Sequence, residues 1–315
     1  MKIVFADAET LGEGLDYSPI TVHGNTEFYP LTSPVEIPGR FCDADIIIIN
    51  KFKMNREALA EAKKLKLICI AATGYDNIDT RYCEQRGIAV CNVPGYSSEG
   101  VSQLTLAMAL SLTLRLPEYA AITSSGEYTL RGVANDLRYP FRETAGKTWG
   151  IIGPGNIGSA VKRGAEGLNM KVITHRAHPK GEAGEVGLEQ LMAQSDVISI
   201  HLPLNDSTRG IVSREMISLM KPTSIIINVS RGAVWDEVAV AQALSEGKIA
   251  ALGADVYSKE PFGENDPFWA IKDRPNVILT PHIGWGAVET RQRCMDIIGE
   301  NIGAFIDGGK LNRVV

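Results

Sequence analysis

Four polar residues in the second half of the chain close apolar runs and could together carry proton and hydride chemistry. Arg231 follows IIINVS, Asp255 ends ALGAD, Glu260 lies a short loop further on, and His282 follows VILTP. If those runs are strands of an open α/β sheet, the four residues gather at its carboxyl edge, where such sheets bind ligands. Interconverting an alcohol and a ketone requires a group that moves the hydroxyl proton and a partner that moves a hydride. His282 suits the proton role, because imidazole titrates near ~6.5. Glu260 beside it would orient the ring and favour its charged form. Arg231 can clamp a carboxylate with two parallel hydrogen bonds and polarise a carbonyl oxygen. An α-hydroxy or α-keto acid is the natural ligand for that set. Each residue alone has a plainer reading: a surface ion pair for Arg231, a solvated loop charge for Glu260, a strand cap for His282. The joint placement favours chemistry.

The hydride partner is implied by residues 148–176, TWGIIGPGNIGSAVKRGAEGLNMKVITHR. A short apolar strand runs into a glycine turn, a helical stretch follows with Ile157, Ala160, Val161 and Ala165 at helical spacing, and a second strand closes the unit. Strand, glycine turn, helix and strand are the parts of a dinucleotide cradle. Gly153 permits the tight turn, Gly155 leaves room for a pyrophosphate, and Gly158 lets the helix pack on the sheet. The first helical N–H groups, at Asn156 and Ile157, then face the phosphates with the positive end of the helix dipole.

The elements that must position these residues repeat one pattern. KIVFA at 2–6, IIIIN at 46–50, LICIA at 67–71 and IAVCN at 88–92 read as buried strands, with a helix near 57–64. VISIH, IIINV, ALGAD and VILT repeat it after the cradle, with helices near 188–194, 213–220 and 236–246. Short apolar runs alternating with helices imply parallel sheets. The expected fold is therefore α/β, with two doubly wound parallel-sheet domains. Residues 99–114 form a helix that is apolar nearly all round, so it is expected to be buried. Residues 117–147 are too long and too irregular for a simple connection; an extended arm packing on a partner subunit would explain them, and a surface loop is the plainer reading. A long amphipathic helix is expected near 287–306.

With 315 residues, 44% hydrophobic and 22% charged, the chain has the composition of a two-domain globular protein. A net charge of −5 offers no basic footprint for nucleic acid. Five cysteines, odd in number and without a C-x-x-C, point to a reducing compartment and no disulfide framework. The N-terminus soon meets Asp7 and Glu9, which does not suit a signal peptide. No uncharged stretch is long enough to span a membrane. The expectation is a cytoplasmic protein without membrane, nucleic-acid or metal partners.

Several runs carry a resemblance to one family. They are TGYDNID (73–79), GIAVCNVPGYSSEGVSQ (87–103), GKTWGIIGPGNIGSAV (146–161), HLPLNDSTRG (201–210), INVSRGAVWDE (227–237), GADVYSKEP (253–261) and LTPHIGW (279–285). In type and order they resemble the D-isomer-specific 2-hydroxyacid dehydrogenases over nearly the whole chain. That resemblance implies His282 as acid/base, Glu260 as its partner and Arg231 as substrate anchor. It implies a Rossmann nucleotide domain at 99–286 inserted into a flavodoxin-like substrate domain of 1–98 plus 287–315, with the active site in the cleft between them. It further implies cofactor contacts at Val101, Thr208 and Asp255. Substrate contacts are implied at Lys51 and at the N–H groups of Thr73 and Gly74. A homodimer through the 100–147 region also follows from it.

Two features are particular to this chain. An acidic residue ending the second cradle strand would accept hydrogen bonds from the ribose 2′-OH of NAD. Here His175 and Arg176 stand in its place, followed by His178 and Lys180, which predicts a preference for NADP(H) with NAD(H) still possible. The run 282–285, with ETRQR at 289–293, resembles the hydroxypyruvate and glyoxylate reductase (glycerate dehydrogenase) branch, with Trp285 walling the pocket or packing between domains. The expected activity is reduction of a small 2-keto acid. The alternatives are a D-lactate-type or other D-2-hydroxyacid dehydrogenase, or a nucleotide-sensing scaffold like the family's corepressors.

Overall fold

The computed structural model describes residues 1–315. They divide into two compact units, Met1–Ser97 with Trp285–Val315, and Ser98–Gly284.

The first unit is a five-stranded parallel sheet of β1 (Lys2–Phe5), β2 (Asn25–Phe28), β3 (Ile46–Ile49), β4 (Leu67–Ile70) and β5 (Ala89–Cys91). The strand order is β2-β1-β3-β4-β5, the flavodoxin-like arrangement. β3 and β4 are buried at every position, which requires the unbroken apolar runs IIII and LICI. Successive side chains feed opposite cores. Ile3, Phe5, Ile46 and Ile48 meet Met295, Ile298 and Ile302 of the helix Val288–Ile306. Val4, Ile47 and Ile49 meet Leu59 and Phe41 on the other face. β2 has no apolar run (NTEF) and is not legible as a strand in the sequence. It is an edge strand, and none of its four residues is fully buried.

The second unit holds β6 (Thr148–Ile152), β7 (Lys171–His175), β8 (Val197–Ile200), β9 (Ile225–Asn228), β10 (Ala251–Ala254) and β11 (Val277–Leu279). All are parallel, in the order β11-β10-β9-β8-β6-β7. A single parallel bridge from Thr174 to Glu185 extends the sheet beyond β7. With it, the order is that of the doubly wound dinucleotide fold, its third strand reduced to one bridge. The order reverses between β6 and β8, where this fold opens its ligand crevice.

Two expectations need correction here. The helix Ser98–Thr113 is apolar on all sides but buries only Val101, Ser102, Thr105, Met108, Ala109 and Leu112. Its buried side packs on Trp149, Val161 and Ala165, and on Gly164, where an added Cβ would come within 2.4 Å of Leu106. Its remaining residues are only partly buried or exposed. The segment after it is not an irregular arm throughout. Leu116–Ser124 and Glu127–Arg131 are helical, with Pro117 in the first turn of the former and Gly132 in the left-handed conformation after the latter.

No helix is long and apolar enough to cross a membrane. All five cysteines are free, and only Cys42 is exposed. Burial pushes the Cys83 and Cys91 thiols up to about 11, so both serve as protonated packing groups.

Candidate active site

Strand pairing places one transverse row of residues across the second sheet. His175, Ile152, Ile200, Asn228, Ala254 and Leu279 are register partners in turn. The residues just past this row include Arg176, Gly153, His201, Asp255 and Thr280, with Arg231 and His282 each three residues beyond it. Residues far apart in sequence thus emerge along one carboxyl edge. At about 4.8 Å per strand gap, β7 and β9 are separated by roughly 14 Å, a distance a dinucleotide can bridge.

The glycine turn fits such a ligand. Gly153 has φ of 90°, and an added Cβ would lie 2.7 Å from the His201 carbonyl oxygen. A Cβ on Gly158 would lie 2.4 Å from the Gly153 oxygen, so the helix Asn156–Gly167 can start this close to the strand only with glycine there. At Gly155 an added Cβ meets nothing within 4 Å, which is open space beside the N–H groups of the first turn.

Asn228, fully buried at the end of β9, shapes the turn that carries Arg231. Its amide N–H donates to the Arg231 carbonyl, and its oxygen accepts from the N–H and the hydroxyl of Ser230. Gly232 follows, and an added Cβ would lie 2.0 Å from the Tyr257 carbonyl carbon and 2.1 Å from the Ser258 nitrogen. The Arg231 turn therefore rests directly on the backbone leading to Glu260. Two carboxylates hold that backbone. Ser258 N–H donates to Glu237 at 2.7 Å, and Tyr257 N–H donates to Glu260 Oε1 at 3.1 Å. Burial pushes the Glu237 carboxyl up from its ordinary value, against the hydrogen bonds it accepts from Ser258.

The other oxygen of Glu260 lies 2.7 Å from His282 Nδ1. A carboxylate only accepts, so Nδ1 carries the proton of that bond. His282 itself has φ of 57°, a left-handed conformation that costs about 1 kcal/mol for a residue with a Cβ. Asp255, 1% exposed, holds it there. Its Oδ1 accepts from Thr280 Oγ1 at 2.6 Å and Ile283 N–H at 2.8 Å, and its Oδ2 accepts from Gly284 N–H at 2.8 Å. Both oxygens of Asp255 are engaged in the chain that carries His282, a positioning role the sequence did not disclose. Val101, 6% exposed, borders the same place, because an added Cβ on Gly284 would touch it at 3.4 Å.

The other candidates are placed as follows. Thr208 is buried, and its hydroxyl closes its own turn by donating to Pro203 O and accepting from Asn205 N–H. His175 Nδ1 donates to the Val186 carbonyl at 3.2 Å. Arg176 forms ion pairs with Glu182 at 3.1 Å and Glu185 at 2.6 Å. In the first unit, Lys51 lies on a loop gripped from two sides. The buried Asp7 carboxylate accepts the N–H groups of Asn50, Lys51 and Phe52, and Asn77 Nδ2 donates to the carbonyls of Asn50 and Phe52. Asn92 Nδ2 donates to the Thr73 carbonyl, while the N–H groups of Thr73 and Gly74 donate to no group of the chain. Trp285 packs on the core of this first unit, beside Tyr17 and Leu15. Asp7, Asn77 and Asn228 were missed by sequence reasoning; for Asp7 and Asn228 the available signal was a polar residue closing or following a buried strand, and for Asn77 only its place in the run TGYDNID.

His201 lies against the glycine turn, its carbonyl oxygen 2.7 Å from where a Cβ on Gly153 would stand, and its ring nitrogen Nδ1 is buried. Trp149 Nε1 donates to Ser199 Oγ at 2.9 Å, and Ser199 Oγ lies 2.9 Å from His201 Nε2. The serine hydroxyl can then donate to Nε2, which puts the imidazole proton on Nδ1, a buried nitrogen with no partner. Burial pushes this imidazole down to about 3, so it is neutral in the folded protein. An unfolded chain takes up a proton here below pH ~6.5 that the folded chain refuses until about 3. Folding stability therefore falls as pH drops through that window. Between pH 7 and 4.5 this one group is expected to remove about 2 kcal/mol, somewhat less than full linkage gives because part of the residue reaches the surface. Urea unfolding of His201→Asn at both pH values should show a shallower acid loss than the parent; equal losses would discard the assignment.

Fold and site together define an NAD(P)-dependent oxidoreductase: a nucleotide crevice at one end of a sheet edge, and an imidazole backed by a carboxylate along the same edge. Residues 106–284 match the profile described as D-isomer specific 2-hydroxyacid dehydrogenase, NAD binding domain. A hydroxypyruvate reductase of Blautia hydrogenotrophica is 37% identical, covering 100% of this chain and 99% of that one. A glycerate dehydrogenase of Methylorubrum extorquens is 34% identical, covering 99% of this chain and 98% of that one. Among solved structures, a protein of Thermus thermophilus superposes with a TM-score of 0.89 at 30% identity, covering all of both chains. The chain belongs to the D-isomer specific 2-hydroxyacid dehydrogenases.

Proposed function

We propose that this enzyme reduces a small polar 2-keto acid with a preference for NADP(H), taking hydroxypyruvate to the D-2-hydroxy acid or glyoxylate to achiral glycolate. The observation that carries the reading is the His282–Glu260 pair, set by Asp255 on the edge that also carries the nucleotide turn and Arg231. The glycine turn with the first-turn N–H groups of Asn156 and Ile157 would hold a reduced nicotinamide dinucleotide, which when bound would supply the hydride. Glu260 keeps the His282 ring oriented through Nδ1, so that Nε2–H delivers the proton to the substrate oxygen. The Arg231 guanidinium holds the carboxylate and stabilises charge developing on that oxygen. In the first unit, the open N–H groups of Thr73 and Gly74, with the Lys51 ammonium, have the chemistry to receive a carboxylate. The likeness to a hydroxypyruvate reductase and a glycerate dehydrogenase over full length supports hydroxypyruvate, and the likeness to a glyoxylate reductase supports glyoxylate.

Arg176 supports NADP(H), because a guanidinium at the ribose end of the cradle attracts a 2′-phosphate. Absorbance at 340 nm with NADPH and NADH across a panel of 2-keto acids tests both parts. The expected result is fastest turnover of hydroxypyruvate or glyoxylate with NADPH. A clear NADH preference removes the cofactor part, and no consumption across the panel removes the enzymatic reading.

We also propose a homodimer. Leu116, Tyr128, Leu130, Val133, Leu137 and Phe141 are all exposed, and Leu130 and Leu137 are 88% and 77% exposed. They lie on the segment that follows the half-buried helix Ser98–Thr113. An apolar surface of this kind marks an interaction site. Sedimentation equilibrium should give about twice the 34.1 kDa chain mass; a monomer would end the proposal.

A further inference from the structure

The loop after β7 gathers three charged side chains, Arg176, Glu182 and Glu185, whose arrangement is set by the sheet edge. Thr174 N–H donates to the Gly184 carbonyl, and Val186 N–H donates to the Thr174 carbonyl, both at 2.9 Å. Glu185 is thereby bridged beside Thr174 at the sheet edge. Side chains alternate along a strand, so Arg176, two residues after Thr174, leaves on the same face as Glu185.

The two carboxylates that meet Arg176 differ in how they are held. The Glu185 side chain is 8% exposed. Its Oε1 pairs with Arg176 Nε at 2.6 Å, and its Oε2 accepts the N–H groups of Lys180 at 2.8 Å and Glu182 at 3.1 Å. It is anchored in the loop backbone and does not leave without unravelling it. The Glu182 side chain is 54% exposed, and its one polar contact is Arg176 Nη2 at 3.1 Å. Arg176 Nη1 has no partner in the chain. A guanidinium offers its donors as a planar fork. Here Nε lies against a largely buried anion as an ion pair without an aligned hydrogen bond, while the Nη face holds only a solvent-exposed one.

We propose that Glu185 is a positioning residue that presents the Arg176 fork at the ribose end of the cradle, and that Glu182 is an internal anion which the 2′-phosphate of NADP(H) displaces. The inference rests on the NADP(H) reading above and deepens it. It makes cofactor choice a competition at Arg176 between a tethered carboxylate and a phosphate, in which the dianion wins because it can engage both Nη atoms. Removing the competitor raises selectivity, and removing the anchor lowers it. That opposite sign is what a merely structural loop would not produce.

Isothermal titration of the full-length protein with NADPH, NADH and adenosine 2′,5′-bisphosphate tests this without catalysis. Glu182→Gln is expected to tighten NADPH and the bisphosphate about 3- to 5-fold relative to NADH. Glu185→Gln is expected to move the same ratio about tenfold the other way, and Arg176→Ala to weaken NADPH at least as much. The exposed Glu182 site guards against loss of folding, so its variant decides if Glu185→Gln proves unstable. If Arg176→Ala leaves NADPH binding intact, the NADP(H) reading and this inference both fall. If Arg176→Ala weakens NADPH but Glu182→Gln leaves the ratio within about twofold of the parent, the reading stands and the inference alone is overturned.

Discussion

Replacing His282 with alanine is expected to lower turnover of the keto acid by about 10²–10⁴-fold, the range a positioned acid–base group contributes. Dinucleotide binding should survive, because the glycine turn, the first helical turn and the Arg176 loop are built from other segments. The residue sits in a left-handed turn whose N–H groups are gathered by Asp255. Alanine removes the imidazole while leaving those backbone contacts in place, so the variant should fold about as well as the parent. That separates the chemical loss from a folding loss. Intrinsic fluorescence quenching by NADPH reports binding, and 340 nm absorbance reports turnover. A variant retaining more than about a tenth of parental turnover would falsify the proton-transfer role. Glu260→Gln keeps a hydrogen-bond acceptor near Nδ1 but removes the charge, and a smaller loss is expected from it.

Gly232→Ala should damage both stability and activity, although the residue has no side chain to contribute. An added Cβ would stand 2.0 Å and 2.1 Å from backbone atoms of Tyr257 and Ser258, and 2.5 Å from the Tyr257 oxygen. Backbone cannot rotate out of the way as a flexible side chain does. Either the Arg231 turn or the segment leading to Glu260 must move by about an ångström or more. Overpacking of this kind costs about 1–3 kcal/mol. Displacement by that amount between an anchoring Arg and the acid–base pair can cost about 10²-fold in rate. Gly187→Ala, where an added Cβ meets nothing within 4 Å, is the control without steric conflict; at the N-cap of the helix Leu188–Gln194 it should cost no more than about 1 kcal/mol and leave kcat/KM unchanged. Measuring the unfolding midpoint and kcat/KM of both variants decides the matter. If Gly232→Ala behaves like Gly187→Ala, the coupling between the Arg231 turn and the Glu260 loop is not there.

Much of the fold could be read from the chain because strands buried on both faces must be unbroken apolar runs. IIII, LICI, VISI and IIIN each announce themselves this way. The glycine turn was equally legible, since a positive φ at Gly153 and a backbone contact at Gly158 exclude other residues. β2 was not, because an edge strand with one neighbour needs no such run. The helices at 116–131 were obscured by their glycines and charges, which read as loop but serve as helix boundaries.

The sequence by itself determined which chemistry the chain can hold: an imidazole, a carboxylate, a guanidinium and a glycine cradle, each following its own strand. Local rules suffice for that, because strand length, turn residues and apolar period are properties of neighbouring residues. Only the tertiary structure decided how those groups are held. The row from His175 to Leu279 exists because six separated strands pair in one register. The Glu260–His282 contact, the grip of Asp255 on Gly284 and the pairing of Glu185 with Arg176 join residues that no periodicity links. The last of these changes what Arg176 means. In the chain it is a cation where an acid was expected; in the fold it is a cation already balanced by two acids, one fixed and one free to yield.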